Sequence, residues 1–171
     1  MMRRAWTCLP ALLLLTGCAG LDPAAAYRAA ARNLSFRLEA VRPRLEVAFP
    51  IERSALVLAV DLGVQNGSGL RLAARSLGAA IHLESGGEGF PLGQVGFPAG
   101  MVLEARSTRT MRAEVRLPYA DIKRAWKVLD GVALRGAAGT WKLEGRATLD
   151  ILGVPLDLPV RTSLRSGSAQ P

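Results

Sequence analysis

From residue 34 onward, apolar and polar residues alternate with a period of two, the mark of strands that bury one face. Leu34, Phe36 and Leu38 point one way. After Arg42-Pro43 the alternation resumes in the other parity at Leu45, Val47, Phe49 and Ile51, which predicts a strand that bends or changes sheets at the proline. The next strand is the clearest. Leu56, Leu58, Val60, Leu62 and Val64 share one face, Ala55, Val57 and Ala59 line the other, and the run ends at Gln65-Asn66-Gly67-Ser68-Gly69, a strong turn signal. Leu70 and Leu72 lead to Leu77, Ala79, Ile81 and Leu83, with a slip in spacing around Ala73 to Ser76 that predicts a bulge.

The Gly/Pro-rich stretch from Gly86 to Gly100 reads as a loop with at most a short strand around Leu92 to Phe97. Alternation returns at Met101, Leu103 and Ala105, and is strict at Met111, Ala113, Val115 and Leu117 against Arg112, Glu114 and Arg116. A long hairpin closes the chain. Trp141, Leu143, Ala147, Leu149 and Ile151 form one row, Val154, Leu156, Leu158 and Val160 the next, and Leu152-Gly153 is the turn.

Two segments depart from this period. Tyr119, Ile122, Trp126 and Leu129 repeat at three and four, with Asp121 in the first turn and Gly131 as a stop, which predicts an amphipathic helix. Asp22-Pro23 followed by Ala24 to Arg32 predicts a short helix capped by Asp22, or else a tether, because its apolar face is weak. About seven strands and one short helix, with turns at this spacing, predict a mainly β domain. The expected architecture is an antiparallel sandwich of the fibronectin-III or immunoglobulin kind.

Composition alters this picture at the N-terminus. Arg3 and Arg4 form a basic start, and Ala5 to Leu15 form an apolar stretch too short to span a bilayer, so residues 1–17 read as a signal peptide. Leu15-Thr16-Gly17-Cys18 resembles the bacterial lipobox. The resemblance implies cleavage before Cys18, lipidation of its thiol, and an outer-membrane address facing the periplasm, since Ala19 rather than Asp follows. Residues 18–33 would then be a lipidated tether or short helix, 34–165 the sandwich, and 166–171 a disordered tail.

Of 171 residues, 22 are Lys or Arg and 14 are Asp or Glu, for a net charge of +8, and loss of Arg3 and Arg4 would leave +6. On a tethered protein this favours anionic lipid headgroups, with an envelope protein as the other candidate partner, and no role with nucleic acid is expected. Both cysteines precede residue 19 and His82 is the sole histidine, which excludes a disulfide framework, a Cys or multi-His zinc site and a Cys/His catalytic pair in the processed chain. No cofactor is expected.

The order of pieces resembles the late embryogenesis abundant type 2 (LEA14-like, or water stress and hypersensitive response, WHy) family. That family places a long aliphatic strand before an Asn-Pro turn, then a strand with small residues, a Gly-rich stretch, an alternating strand, a short helix and a closing hairpin. The corresponding pieces are Ala55 to Asn66, Leu70 to Leu83, Gly86 to Gly100, Met101 to Leu117, Tyr119 to Leu129 and Thr140 to Thr162, with Asn66-Gly67 standing at the Asn-Pro position. The resemblance implies a role in desiccation or other stress and no catalytic residues.

The remaining candidates weigh against chemistry. His82 sits in the polar parity of its strand without a second ligand nearby in sequence. Asp150 and Asp157 flank the closing turn and could meet across the hairpin. Arg112 and Arg116 share a parity and, with Arg106 and Arg109, could make a basic stripe. Tyr119, Trp126 and Trp141 could edge an apolar groove, although their spacing also suits core packing.

These residues predict a non-catalytic, lipid-anchored envelope protein that binds or shields surfaces. The alternatives are a periplasmic carrier of a lipid or other apolar ligand, and a scaffold that pairs through a strand edge.

Overall fold

The computed structural model describes residues 22–135 and 137–166. The calls on residues 1–17 as a signal peptide, on Cys18 as a lipidation site and on the residues after Ser166 as a tail lie outside these described residues. Helix α1 (Pro23–Ala31) is followed by strands β1 (Leu34–Glu46), β2 (Ala55–Asn66), β3 (Leu72–Ser85), β4 (Glu88–Phe97), β5 (Met101–Leu103) and β6 (Ser107–Pro118). Helix α2 (Tyr119–Leu129) then leads through a π-helical turn (Asp130–Leu134) into β7 (Gly139–Ile151) and β8 (Val154–Ser166).

The strands form two antiparallel sheets, β1-β2-β6 and β4-β3-β7-β8, with β5 on the same side of β3 as β4. Their facing sides make one aliphatic core, with Leu58, Val60 and Leu62 of β2 packed in the same cluster as Ile81, Leu83 and Leu143. The fold is therefore a β-sandwich, as the alternation requires.

Helix α1 forms as its sequence dictates. The Asp22 side chain accepts a hydrogen bond from the Ala24 N–H at 2.9 Å, Pro23 occupies the first turn, and the small residues Ala30 and Ala31 are buried.

Two local predictions are corrected. The parity change in β1 comes from a bulge at Glu39, between Leu38 and Ala40, and not at Pro43. The strand then continues through Pro43 in the same sheet, because β1 is an edge strand where a missing N–H costs no ladder bond. The Gly/Pro-rich stretch is a ten-residue strand, paired with β3 from Leu77 to Ser85. Its alternation is hidden by a bulge at Leu92, beside Gly93 at φ 142°, which puts Leu92 and Val95 on the core side three residues apart. Gly86 and Gly87, at φ 62° and 87°, supply the hairpin turn before it.

Asn66-Gly67 opens the bend between β2 and β3. These residues do not turn a hairpin: β2 and β3 belong to different sheets, and the segment between them crosses from one to the other. Elsewhere the expected features are present. A bulge falls at Arg75, and Leu152-Gly153, at φ 53° and 85°, joins β7 to β8. Gly145 is required by a close approach, since a Cβ there would lie 2.1 Å from the Gly78 carbonyl oxygen and 2.5 Å from Ala79 Cα.

Proline lies inside three of the edge strands, Pro43 in β1, Pro91 in β4, and Pro155 and Pro159 in β8, and Pro118 closes a fourth, β6.

Candidate functional site

The register places the end of β1, the start of β2 and the end of β6 together, since Leu45 pairs with Leu56 and Ala55 with Pro118. Here the chain leaves β1 at Glu46 and returns to β2 at Ser54 through a short loop. The Ser54 hydroxyl ties that loop, accepting from the Ala48 N–H at 3.1 Å and lying 3.4 Å from the Ala48 carbonyl. A 3-10 turn over Ile51–Arg53 completes it. Helix α2 begins where β6 ends, buries Ile122, Ala125 and Leu129 in the core, and leaves Trp126 beside the loop.

Between helix and loop lies an open groove of about 400 Å³, lined by Leu45, Val47, Ile51, Ser54, Tyr119, Ile122, Lys123 and Trp126. Large apolar side chains stand in solvent around it. Phe49 is 94% exposed, Val47 72% and Trp126 44%. A contiguous apolar surface of this kind is the ordinary mark of a binding site. Lys123 lines it, and Arg53 and Lys127 adjoin its lining residues Ser54 and Trp126 in sequence; all three cations are exposed and join no ion pair among the described residues.

The groove brings together Tyr119 and Trp126 and excludes Trp141. Trp141 is 2% exposed on the inner face of β7, opposite Leu83 and Leu164, because it lies in the strand parity that faces the core. Leu45, Val47 and Ile51, which the alternation suggested were strand core, line the groove instead; Val47 and Ile51 fall beyond the last residue of β1.

The opposite pole of the sheet is closed. Asn66 is fully buried; its Nδ2 donates to the carbonyls of Leu70 at 2.8 Å and Glu104 at 2.9 Å, and its Oδ1 accepts from the Ser68 N–H at 3.0 Å and the Ser68 hydroxyl at 2.7 Å. The Gly67 N–H donates to the Asn33 carbonyl at 3.0 Å, so the end of α1 is tied to the same place. Asn66 thus acts as a structural plug.

The arginine stripe is largely neutralised. Arg112 holds Asp61 with two bonds, 2.7 Å from Nε and 3.2 Å from Nη2, and Arg42 adds a third at 2.7 Å. Asp61 is 4% exposed, on the outer face of β2, and the Arg112 and Arg42 guanidiniums hold its carboxyl below the usual carboxylate range against the opposing effect of burial. Arg116 pairs with Glu46. Arg109 lies in the other parity, reaching the Val102 carbonyl at 3.3 Å. The importance of Asp61 was legible as a lone charge in an otherwise apolar run, flanked by sheet partners rich in arginine.

Asp150 and Asp157 do not act as a pair. Asp150 accepts from Arg75 at 2.8 Å and from the Gly153 N–H at 2.8 Å, and both bonds lower its pKa. Asp157 accepts from the Thr148 hydroxyl at 2.7 Å. His82 is half-buried, opposite Lys142 and Pro91.

No protein-family profile matches the sequence, and no curated protein matches it. Similar solved structures include the solution structure of AT1g01470 from Arabidopsis thaliana, 15% identical with a TM-score of 0.49 over 75% of this chain and 77% of that one. A crystal structure of a protein from Archaeoglobus fulgidus is 14% identical, with a TM-score of 0.43 over 75% of this chain and 94% of that one. The solution structure of At2g46140.1, provisionally described as a late embryogenesis abundant (LEA) protein, is 16% identical with a TM-score of 0.44 over 85% and 79%. These likenesses are coarse, and neither ligand nor activity follows from them.

What the groove can do chemically is bury apolar surface. Its lining offers the Ser54 and Tyr119 hydroxyls and the Lys123 amine as polar groups.

Proposed function

We propose that this chain is a non-catalytic, lipid-anchored envelope protein of the LEA type 2 (WHy) class, and that it works by binding apolar surface in the groove between α2 and the loop after β1. The observation that carries this reading is the cluster of exposed large side chains, Val47, Phe49, Ile51 and Trp126, around an open groove of about 400 Å³. Support for the class comes from the order of strands, helix and hairpin in the sequence. Support for the anchor comes from Leu15-Thr16-Gly17-Cys18.

Binding of an apolar dye such as 1-anilinonaphthalene-8-sulfonate tests the groove. Saturable binding that quenches Trp126 and weakens about tenfold in the Trp126→Ala variant is expected; binding unchanged by that substitution would refute the site. Cell fractionation tests the anchor. The wild type is expected in the outer-membrane fraction and Cys18→Ala in the soluble one, and a variant that stays in the membrane would refute lipidation as the attachment.

The groove's volume, within the range of about 300–1,000 Å³ usual for small-molecule sites, favours a second reading as carrier of one apolar ligand. A lipid that co-purifies in fixed ratio would select that reading.

A further inference from the structure

Resting on the reading of the groove as a binding element, we propose that its partner is the surface of an anionic bilayer, into which the loop carrying Val47, Phe49 and Ile51 inserts while Arg53, Lys123 and Lys127 contact lipid headgroups. The apolar side chains lead: Phe49 projects almost wholly into solvent, at the tip of a loop that Ser54 ties at its base. The loop is therefore preorganised, and insertion orders little that is not ordered already. Trp126 and Tyr119 stand behind the tip, and such rings suit the headgroup level of a bilayer, apolar on their faces and polar at one end.

Charge gives the sign of the surface. Arg53, Lys123 and Lys127 have no ion-pair partner among the described residues, whereas Arg124 and Arg116 are neutralised by Asp121 and Glu46. Two acidic residues lie three positions from Phe49: Glu46, paired with Arg44 and Arg116, and Glu52, exposed beside Arg53. Three unpaired cations against that one free carboxylate leave a positive collar around an apolar tip, which fits anionic headgroups around an acyl interior.

The chain enters the sandwich at the other end. Asn33 and Asn66 mark that pole, and the twelve residues of β2 span the distance to the groove, about 36 Å in eleven steps of 3.3 Å. A lipid on Cys18 and an inserted Phe49 would hold the molecule by its two ends. Mature, lipidated protein reconstituted in phosphatidylcholine vesicles should therefore cluster added vesicles rich in phosphatidylglycerol, as read by light scattering, because the anchor occupies one bilayer and only the tip can reach the second.

Clustering is expected to fall at least tenfold in Phe49→Asp. It should fall several-fold in Lys123→Glu and in high salt, and be weak when the added vesicles are pure phosphatidylcholine. Phe49 is exposed, so its substitution leaves the fold intact, which a melting curve verifies. Clustering that is absent, or equal in Phe49→Asp, overturns bilayer docking. Dye binding at Trp126 then separates the two claims: retained dye binding leaves the groove as a site for a free apolar ligand, and lost dye binding removes the binding reading as well.

Discussion

At one end of β2 a polar side chain, Asn66, is wholly buried and bonded on all sides; at the other, Phe49 and Val47 stand in water without a partner. Both ends face the same problem, which is how to finish a sandwich whose strands stop. The Asn66 end is finished by side-chain-to-backbone bonds that supply the partners strands no longer give. The α2 end is covered by one helix that leaves a gap along its side. The difference separates what the fold needs from what it does not: buried polar satisfaction is a stability device, whereas exposed apolar surface adds nothing to the core and, on the reading proposed above, is held for a partner.

The largest effect is expected from opening the closed end. Asn66→Ala leaves the Leu70 and Glu104 carbonyls and Ser68 without their partner, at a cost of about 3 kcal/mol. Thermal melting should fall by roughly 6–12 °C for a chain of this size, while dye binding at the groove, measured in the cold, is unchanged. A fall in dye affinity alongside stability would show that the two ends are coupled.

Between the ends, Asp61→Asn removes the charge that Arg112 and Arg42 share; the expected loss is about 1–2 kcal/mol, since both guanidiniums remain solvated. This contribution has a pH signature. The folded carboxyl titrates below its ordinary value, so its stabilisation is complete above the unfolded pKa of about 3.9 and is lost as pH falls through the lower, folded value. Melting curves of wild type and Asp61→Asn should be separated near neutrality and converge below about pH 4; a gap that stays constant in acid would mean that packing, and not charge, carries the effect.

Trp126→Ala should cost less than about 1 kcal/mol of stability because nearly half the ring is already wet, yet dye affinity should fall about tenfold. Smallest of all, Phe49→Ser is expected within about 0.5 kcal/mol of wild type in chemical denaturation. A clear loss of stability there would mean that Phe49 packs on the fold in solution and is not held for a partner.

Period-two alternation made β2, β3, β6 and the β7–β8 hairpin readable, because each has one face in the core. Bulges hid the remainder. Glu39 reverses parity in β1 without a proline, and Leu92-Gly93 disguises a full strand as a glycine-rich loop. The helical period located Tyr119 and Trp126 on α2, but not which of them would meet the solvent. Three of the groove's eight lining residues, Leu45, Val47 and Ile51, come from a stretch where the same alternation continues after the strand itself has ended. Only the register that joins Ala55 to Pro118 brings these two segments side by side. Trp141 shares residue type with Trp126 and nothing of its setting, since a tryptophan in strand parity is carried inward by the pleat.

The prolines on β1, β4 and β8 bear on how copies of this protein behave when packed together. A sandwich rim with free N–H groups is a template on which another copy can stack and propagate. Pro43, Pro91, Pro155 and Pro159 interrupt that template on three of the rims. Molecules crowded side by side are thereby hindered from zipping into sheets along those rims.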